Sequence, residues 1–332
     1  MFPFVLFALA AAVTVIAAVR LSTYADVISD RTSLGGMMVG TLLLAGATSL
    51  PEVTTSATAV FVGSPDIAVG NVLGSNLFNL MILASFDILY RKKRLLGNIH
   101  SGHQMSGFVS LALTALVMVM ILAPTGVTIL GIGIEMYLMV FFYVYSLRKM
   151  NEQEKAIPEI AAANEEGEEA LQKTTSHIPL KNAKIGFAIS AAVIFVAGSL
   201  LTIAGDQIAT ITGLEASFVG SFFIAAATSL PEVVTVLVAL QLANYNLAVG
   251  NILGSNVFNM MILVVSDLLF RSGAILGAVS PVLALTAFFA IVLNLIVLGH
   301  MVYLRQKSPN RFYIVPSVVL LIVYFVASIM MF

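Results

Sequence analysis

Cysteine is absent from this chain of 332 residues, and charge is scarce: Asp, Glu, Lys and Arg make up 10% of it, with a net charge of −1. The first absence removes disulfide frameworks, thiolate metal sites and cysteine nucleophiles together. The second excludes a soluble domain, which carries roughly a quarter charged residues. A near-neutral balance also argues against a nucleic-acid partner. What the chain has instead is apolar surface: 59% of its residues are hydrophobic, and its mean hydropathy is +1.02. The first apolar stretch, near residues 2–19, has no basic region before it and no small-residue cleavage signature. It is therefore expected to be a membrane span and not a removed signal peptide.

A helix needs about 20 apolar residues to cross a bilayer. Ten segments qualify, near 2–25, 33–62, 66–90, 104–123, 126–147, 182–205, 214–243, 246–270, 280–300 and 311–331. Each half holds five. Five is odd, so the second half enters the bilayer from the opposite side. The expected fold is an all-α polytopic membrane protein of ten transmembrane helices, built from two inverted five-helix repeats. The repeats occupy 1–147 and 182–332, joined by an acidic linker at 148–181.

Arg31, Arg91, Lys92, Lys93, Arg94, Arg148, Lys149, Lys155, Lys173, Lys181, Lys184, Arg305, Lys307 and Arg311 fall on one side of this plan. Arg20 leans the same way, and Arg271 falls opposite. The positive-inside rule makes that side cytoplasmic, with both termini outside a cell (inner) membrane. The linker, with Glu152, Glu154, Glu159, Glu165, Glu166, Glu168 and Glu169, reads as a solvated, flexible connection without EF-hand spacing.

The repeat is visible in the letters. GATSLPEVTT at 46–55 returns 180 residues later as AATSLPEVVT at 226–235, and GNVLGSNLFN at 70–79 returns as GNILGSNVFN at 250–259. Each copy sets a Glu (Glu52, Glu232) directly after a proline in an apolar helix. A carboxylate at membrane depth is costly and marks a functional site by default. Pro51 and Pro231 lack an N–H, so the carbonyls four residues back, Ala47 and Ala227, lose their helical partner. The expected helices are accordingly broken, in spans two and seven and also in three and eight.

Around each break stand Thr48, Ser49 and Glu52, or Thr228, Ser229 and Glu232. The second motif adds Ser75, Asn76 and Asn79, or Ser255, Asn256 and Asn259. Ser75 and Asn79 are four apart and share a helix face. Hard cations take such oxygen sets; calcium accepts six to eight ligands, flexibly arranged. No His or Cys lies in either motif, which disfavours zinc and copper. A helix rich in Gly, Ser and Asn is by itself only a packing surface, and a membrane proline only a kink. The coincidence of Pro-Glu, hydroxyls and amides in both halves, with no Lys or Arg inside either motif, points to one shared cation site.

These paired TSLPE and GSNxFN motifs resemble the two alpha-repeats of the calcium/cation antiporter superfamily, most of all its sodium/calcium exchanger branch. The resemblance implies calcium ligation by Glu52 and Glu232 with backbone oxygens of Thr48 and Thr228. It implies sodium ligation by Ser49, Ser75, Ser229, Ser255 and the carbonyls of Ala45 and Ala225, with Asn79 and Asn259 at the central positions. Many members carry Asp at one or both of those positions; Asn at both argues against potassium co-transport. The proton-coupled branch has a different acidic pattern in its second motif.

The resulting expectation is a secondary-active antiporter exchanging Ca2+ for Na+, with the lipid bilayer as its surroundings and no cofactor, nucleic acid or obligate protein partner. The alternatives are an H+/Ca2+ exchanger and, in another class, a cation channel. An enzyme would need a nucleophile–base pair or a metal triad, and the motifs offer neither. Of the other polar residues, Asp87 and Asp267 each precede an arginine by four (Arg91, Arg271), the spacing of a salt-bridged anchor near a helix end. Glu135, in span five, has no counterpart in span ten and no assigned role. His100 and His103 lie beside the basic cluster without a metal-site pattern.

Overall fold

The computed structural model describes residues 1–30, 46–97, 102–156, 178–241, 245–307 and 312–331. Ala45, His100, most of the acidic linker and several of the basic residues expected on the cytoplasmic side lie outside that set. Within it the chain is mostly helical, and seven helical segments are long and apolar enough to cross a membrane.

In chain order the helices are α1 (Phe2–Asp30), α2 (Leu50–Phe61), α3 (Pro65–Leu89), α4 (Gly102–Leu122) and α5 (Ile134–Ala156), followed by α6 (Leu180–Thr212). Then come α7 (Ala216–Phe218), a π-helical stretch Val219–Ile224, α8 (Ala225–Thr228), α9 (Leu230–Gln241), α10 (Tyr245–Leu269), α11 (Val282–Lys307) and α12 (Val315–Met331). One small hairpin interrupts the helices, Thr128–Ile129 against Ile132–Gly133. Its two turn residues, Leu130 and Gly131, have φ of 54° and 79°, the left-handed pair that a two-residue hairpin turn requires.

The helices sort into a centre and a periphery. In α3, 72% of the apolar stretch is buried, against 28% in α1. At the centre, α3 and α10 pack on each other, flanked by α2, α4 and α11, while α1 and α6 lie alongside one another on the outside. Small residues make the central approach feasible, as is usual where helices meet in lipid. A Cβ at Gly74 would sit 2.1 Å from the backbone oxygen of Ser221, and one at Gly220 would sit 2.8 Å from that of Ile67. The π-helical stretch is thereby pressed against α3 with no side chain between the backbones.

Two sequence expectations change here. Spans three and eight are not broken: α3 and α10 each run 25 residues without interruption. Gly70 and Gly74 serve close packing against Ser221, and Pro65 starts its helix where the missing N–H costs nothing. The second change concerns Asp87 and Asp267, which do not form the anticipated pairs with Arg91 and Arg271; both arginines are exposed. Asp87 accepts from the Leu96 N–H at 3.1 Å, the Tyr313 hydroxyl at 2.5 Å and the Ser317 hydroxyl at 2.6 Å. Asp267 accepts from the N–H groups of Ile275 (2.7 Å) and Gly133 (2.8 Å). Buried N–H donors beyond the helix end need partners, whereas an arginine at the membrane edge reaches water on its own. Each aspartate therefore ties down the loop that follows its helix.

Candidate cation site between the two repeats

Proline sets the local geometry in both copies. Ser49 takes φ −89° and ψ 9° just before α2, and Ser229 takes φ −88° and ψ 3° just before α9. The helix is interrupted at the same point each time, two residues ahead of Pro51 and Pro231, as the missing N–H groups dictate. Glu52 and Glu232 follow in the first turn of the new helix, where the positive end of the helix dipole favours a carboxylate.

Burial is complete. Thr48, Ser49, Glu52, Ser75, Asn79, Thr228, Ser229, Glu232, Ser255 and Asn259 are each at most 1% exposed. The structure brings the two halves together around Glu52. The Ser229 hydroxyl donates to Glu52 Oε1 at 3.3 Å, and the hydroxyls of Thr228 and Ser75 lie beside the same carboxylate, themselves 3.5 Å apart. Glu232 is close enough to feel the Glu52 charge. Among the described residues no Lys or Arg is buried, so neither carboxylate has a base to pair with among them.

Seven buried oxygens of these residues have no hydrogen-bond partner: Ser49 Oγ, Glu52 Oε2, Asn79 Oδ1, both oxygens of Glu232, Ser255 Oγ and Asn259 Oδ1. Each such orphan costs about 1–3 kcal/mol, and more when charged. Two carboxylates, two hydroxyls and two amide oxygens left over together, with no donor to satisfy them, make a donor set suited to a hard cation. The carbonyl of Ala225, an anticipated ligand, is already engaged. It accepts from the Ser229 N–H at 3.0 Å and lies 3.2 Å from the Thr228 hydroxyl.

Asn71 went unranked in the sequence, yet it joins the halves. Its Nδ2 donates to Thr55 Oγ1 at 2.8 Å, Ser56 Oγ at 3.0 Å and the Glu52 carbonyl at 3.3 Å. Its Oδ1 accepts from the Thr228 hydroxyl at 3.2 Å. Its counterpart Asn251 makes the matching bond to Thr235 at 2.6 Å. The signal available was the recurrence of this Asn at the head of both GNxLGSNxFN copies, five residues before an amide that could be recognised more easily.

Asn76 and Asn256 meet at the crossing of α3 and α10. Asn76 Nδ2 donates to the Asn256 carbonyl (3.0 Å), and Asn256 Nδ2 donates to the Asn76 carbonyl (3.2 Å). Asn79 Nδ2 donates to Asn256 Oδ1 (2.9 Å) and Asn259 Nδ2 to Asn76 Oδ1 (3.0 Å). Glu135 lies elsewhere, buried against Gly133 and near Asp267, and is not part of this site. His103 packs against Gly250.

A family model described as sodium/calcium exchanger protein matches residues 2–148 and 182–332. Among curated relatives, a putative antiporter CaxA of Alkalimonas amylolytica is 29% identical over 237 residues, 71% of each chain. The inner membrane protein YrbG of Escherichia coli (strain K12) is 24% identical over 297 residues, 88% of this chain and 86% of that one. The solved structure of the sodium-calcium exchanger NCX_Mj superposes with a TM-score of 0.58 at 17% identity, covering 98% of this chain and 97% of the other. That of the H+/Ca2+ exchanger CAX superposes with a TM-score of 0.63 at 12% identity, covering 99% and 88%. At these identities the structural likeness establishes the fold.

Proposed function

Since the chain belongs to the sodium/calcium exchanger protein family, and is therefore a membrane transporter and not an enzyme, we propose that it exchanges Ca2+ for Na+ across the cell membrane by alternating access. The observation that carries this reading is the pair of buried, baseless carboxylates, Glu52 and Glu232, standing among unpartnered hydroxyl and amide oxygens from both repeats. Calcium is held by Glu52 and Glu232 with the backbone oxygens of Thr48 and Thr228. Sodium is held by Ser49, Ser75, Ser229 and Ser255, with the carbonyls of Ala45 and Ala225; Asn79 and Asn259 complete the centre with amide oxygens.

The charge balance supplies the exchange logic. Amide oxygens are neutral, so the formal charge of the site is −2, from the two glutamates. One calcium ion or two sodium ions neutralise it. Two bare carboxylates closed off within the membrane are costly, which discourages return without cargo and couples the two fluxes. In this reading the chain has ten spans in inverted five-helix repeats, residues 1–147 and 182–332, with both termini outside and the 148–181 linker cytoplasmic. The peripheral pair α1 and α6 moves past a central group that holds the ions; their mutual packing away from α3 and α10 supports that division.

The test is calcium uptake into proteoliposomes loaded with sodium, against liposomes with an outward proton gradient and no sodium. Uptake driven by sodium alone supports the reading. Uptake that follows only the proton gradient replaces it with H+/Ca2+ exchange, and discrete single-channel currents replace it with a channel.

A further inference from the structure

An asparagine offers a cation either an oxygen or an amino group, and the two ends of the side chain are nearly the same shape. Only one end is a ligand. Something must therefore hold Asn79 and Asn259 with the oxygen forward, and the bonds at the α3–α10 crossing do so in two steps. The first step rests on groups that cannot be exchanged. Asn76 Nδ2 and Asn256 Nδ2 each donate to the other residue's backbone carbonyl, at 3.0 and 3.2 Å. A carbonyl only accepts, so turning either amide over would set oxygen against oxygen. Both orientations are settled by the backbone.

The second step transmits that orientation. With their Nδ2 groups committed, Asn76 and Asn256 present Oδ1 to the opposite central residue, which must answer with a donor. Asn79 Nδ2 does so at 2.9 Å and Asn259 Nδ2 at 3.0 Å. Their own Oδ1 atoms then project away from the crossing, and both are buried without a partner.

We infer that Asn76 and Asn256 are positioning residues that lock the amides of Asn79 and Asn259 oxygen-forward for the transported cation. An acid at either central position could answer the waiting Oδ1 only in its protonated form. The inference rests on the proposed ligand role of Asn79 and Asn259. It adds that the orientation of these ligands is set by neighbours one turn away and in the other half.

The experiment is a double-mutant cycle on purified full-length protein, read as calcium binding by titration. Asn79→Ala and Asn256→Ala should each weaken calcium binding, the latter by about 10–100-fold, as is usual when the partner that orients a ligand is removed. The double variant should bind no more weakly than the weaker single one, because Asn256 acts through Asn79. Additive losses, or unchanged binding in Asn256→Ala, would overturn the inference while leaving the ligand role of Asn79 standing. Unchanged binding in Asn79→Ala removes the ligand role and the inference together.

A second measurement needs no variant. In the parent protein labelled on asparagine side chains, calcium should shift the side-chain carbonyl carbons of Asn79 and Asn259 but not those of Asn76 and Asn256. The amide protons of all four should exchange slowly with and without calcium. Fast exchange at Asn79 and Asn259 in the ion-free protein would mean that nothing holds these amides, and would overturn the lock even if the alanine variants fail to fold.

Discussion

Replacing Glu232 by glutamine removes one charge and almost no volume, and the structure says what should follow with and without ions. At roughly 4 Å and an effective dielectric constant of about 20, two unit charges attract by about 4 kcal/mol. For calcium the loss is twice that, about 8 kcal/mol, and for sodium about 4 kcal/mol. Glutamine keeps one oxygen, so these are ceilings, but the difference between the two ions survives: calcium should lose about 4 kcal/mol more than sodium, on the order of a thousandfold in relative affinity. The ion-free protein should respond in the opposite sense. Both Glu232 oxygens are buried and unpartnered, and the carboxylate faces the charge of Glu52. Removing an unpaired buried charge relieves strain on the folded state, so Glu232→Gln should melt a few degrees higher than the parent in chelator and gain little from added calcium. Glu52→Gln should lose transport equally but gain less thermal stability, since Glu52 already accepts a bond from Ser229. The assays are sodium-driven calcium uptake in proteoliposomes and thermal melts with and without calcium. Near-parent calcium affinity in either variant would refute the assignment. A lower melting point in chelator for Glu232→Gln would refute the claim that its charge is unpaired.

Three further outcomes are expected. A cysteine at Ala163, in the otherwise cysteine-free chain, should react only with reagents that reach the cytoplasm, and one at Phe332 only from outside; labelling of both from the same side would rule out an inverted repeat. Asn259→Asp should make calcium transport more pH-sensitive than in the parent, because a third carboxylate takes up a proton as pH falls and an amide does not; identical pH profiles in the two proteins would show that position 259 does not face the ions. Gly74→Ala should cost folded protein outright, since its methyl group would lie 2.1 Å from the Ser221 backbone oxygen and two helices must separate to admit it; yields and melts matching the parent would contradict the close approach.

The chemistry of the site was legible because its signals are local. A proline breaks a helix at a known offset, so the interruptions at Ser49 and Ser229 followed from Pro51 and Pro231. A glutamate in an apolar run has to be explained wherever it sits. The internal repeat then required the two glutamates to be considered together. What stayed hidden depends on partners distant in sequence. Asn76 and Asn256 read as two more candidate oxygens, whereas their amides are committed to a backbone carbonyl 180 positions away and to the opposite central asparagine. Asn71 was hidden for the same reason, its hydroxyl donor being Thr228 of the other half. Breaks were expected in spans three and eight by analogy with the proline-interrupted spans, but α3 and α10 hold no proline past their first residue and run on unbroken. For Asp87 the nearest arginine in sequence was a weaker attraction than the Leu96 N–H and the Tyr313 hydroxyl, which donates to it.

The meeting of Asn76 with Asn256 makes each half dependent on the other. These two residues are the same position in the two copies of the motif, and each bonds to the other in the same way. A residue that pairs with its own counterpart lies where two like surfaces join face to face, as in a symmetric dimer. Either half alone carries one glutamate, one interrupted helix and one member of each asparagine pair, so neither could assemble the candidate site by itself. A substitution at Asn76 is felt in the second half, through the lost bonds to the Asn256 carbonyl and from Asn259, and one at Asn256 is felt in the first.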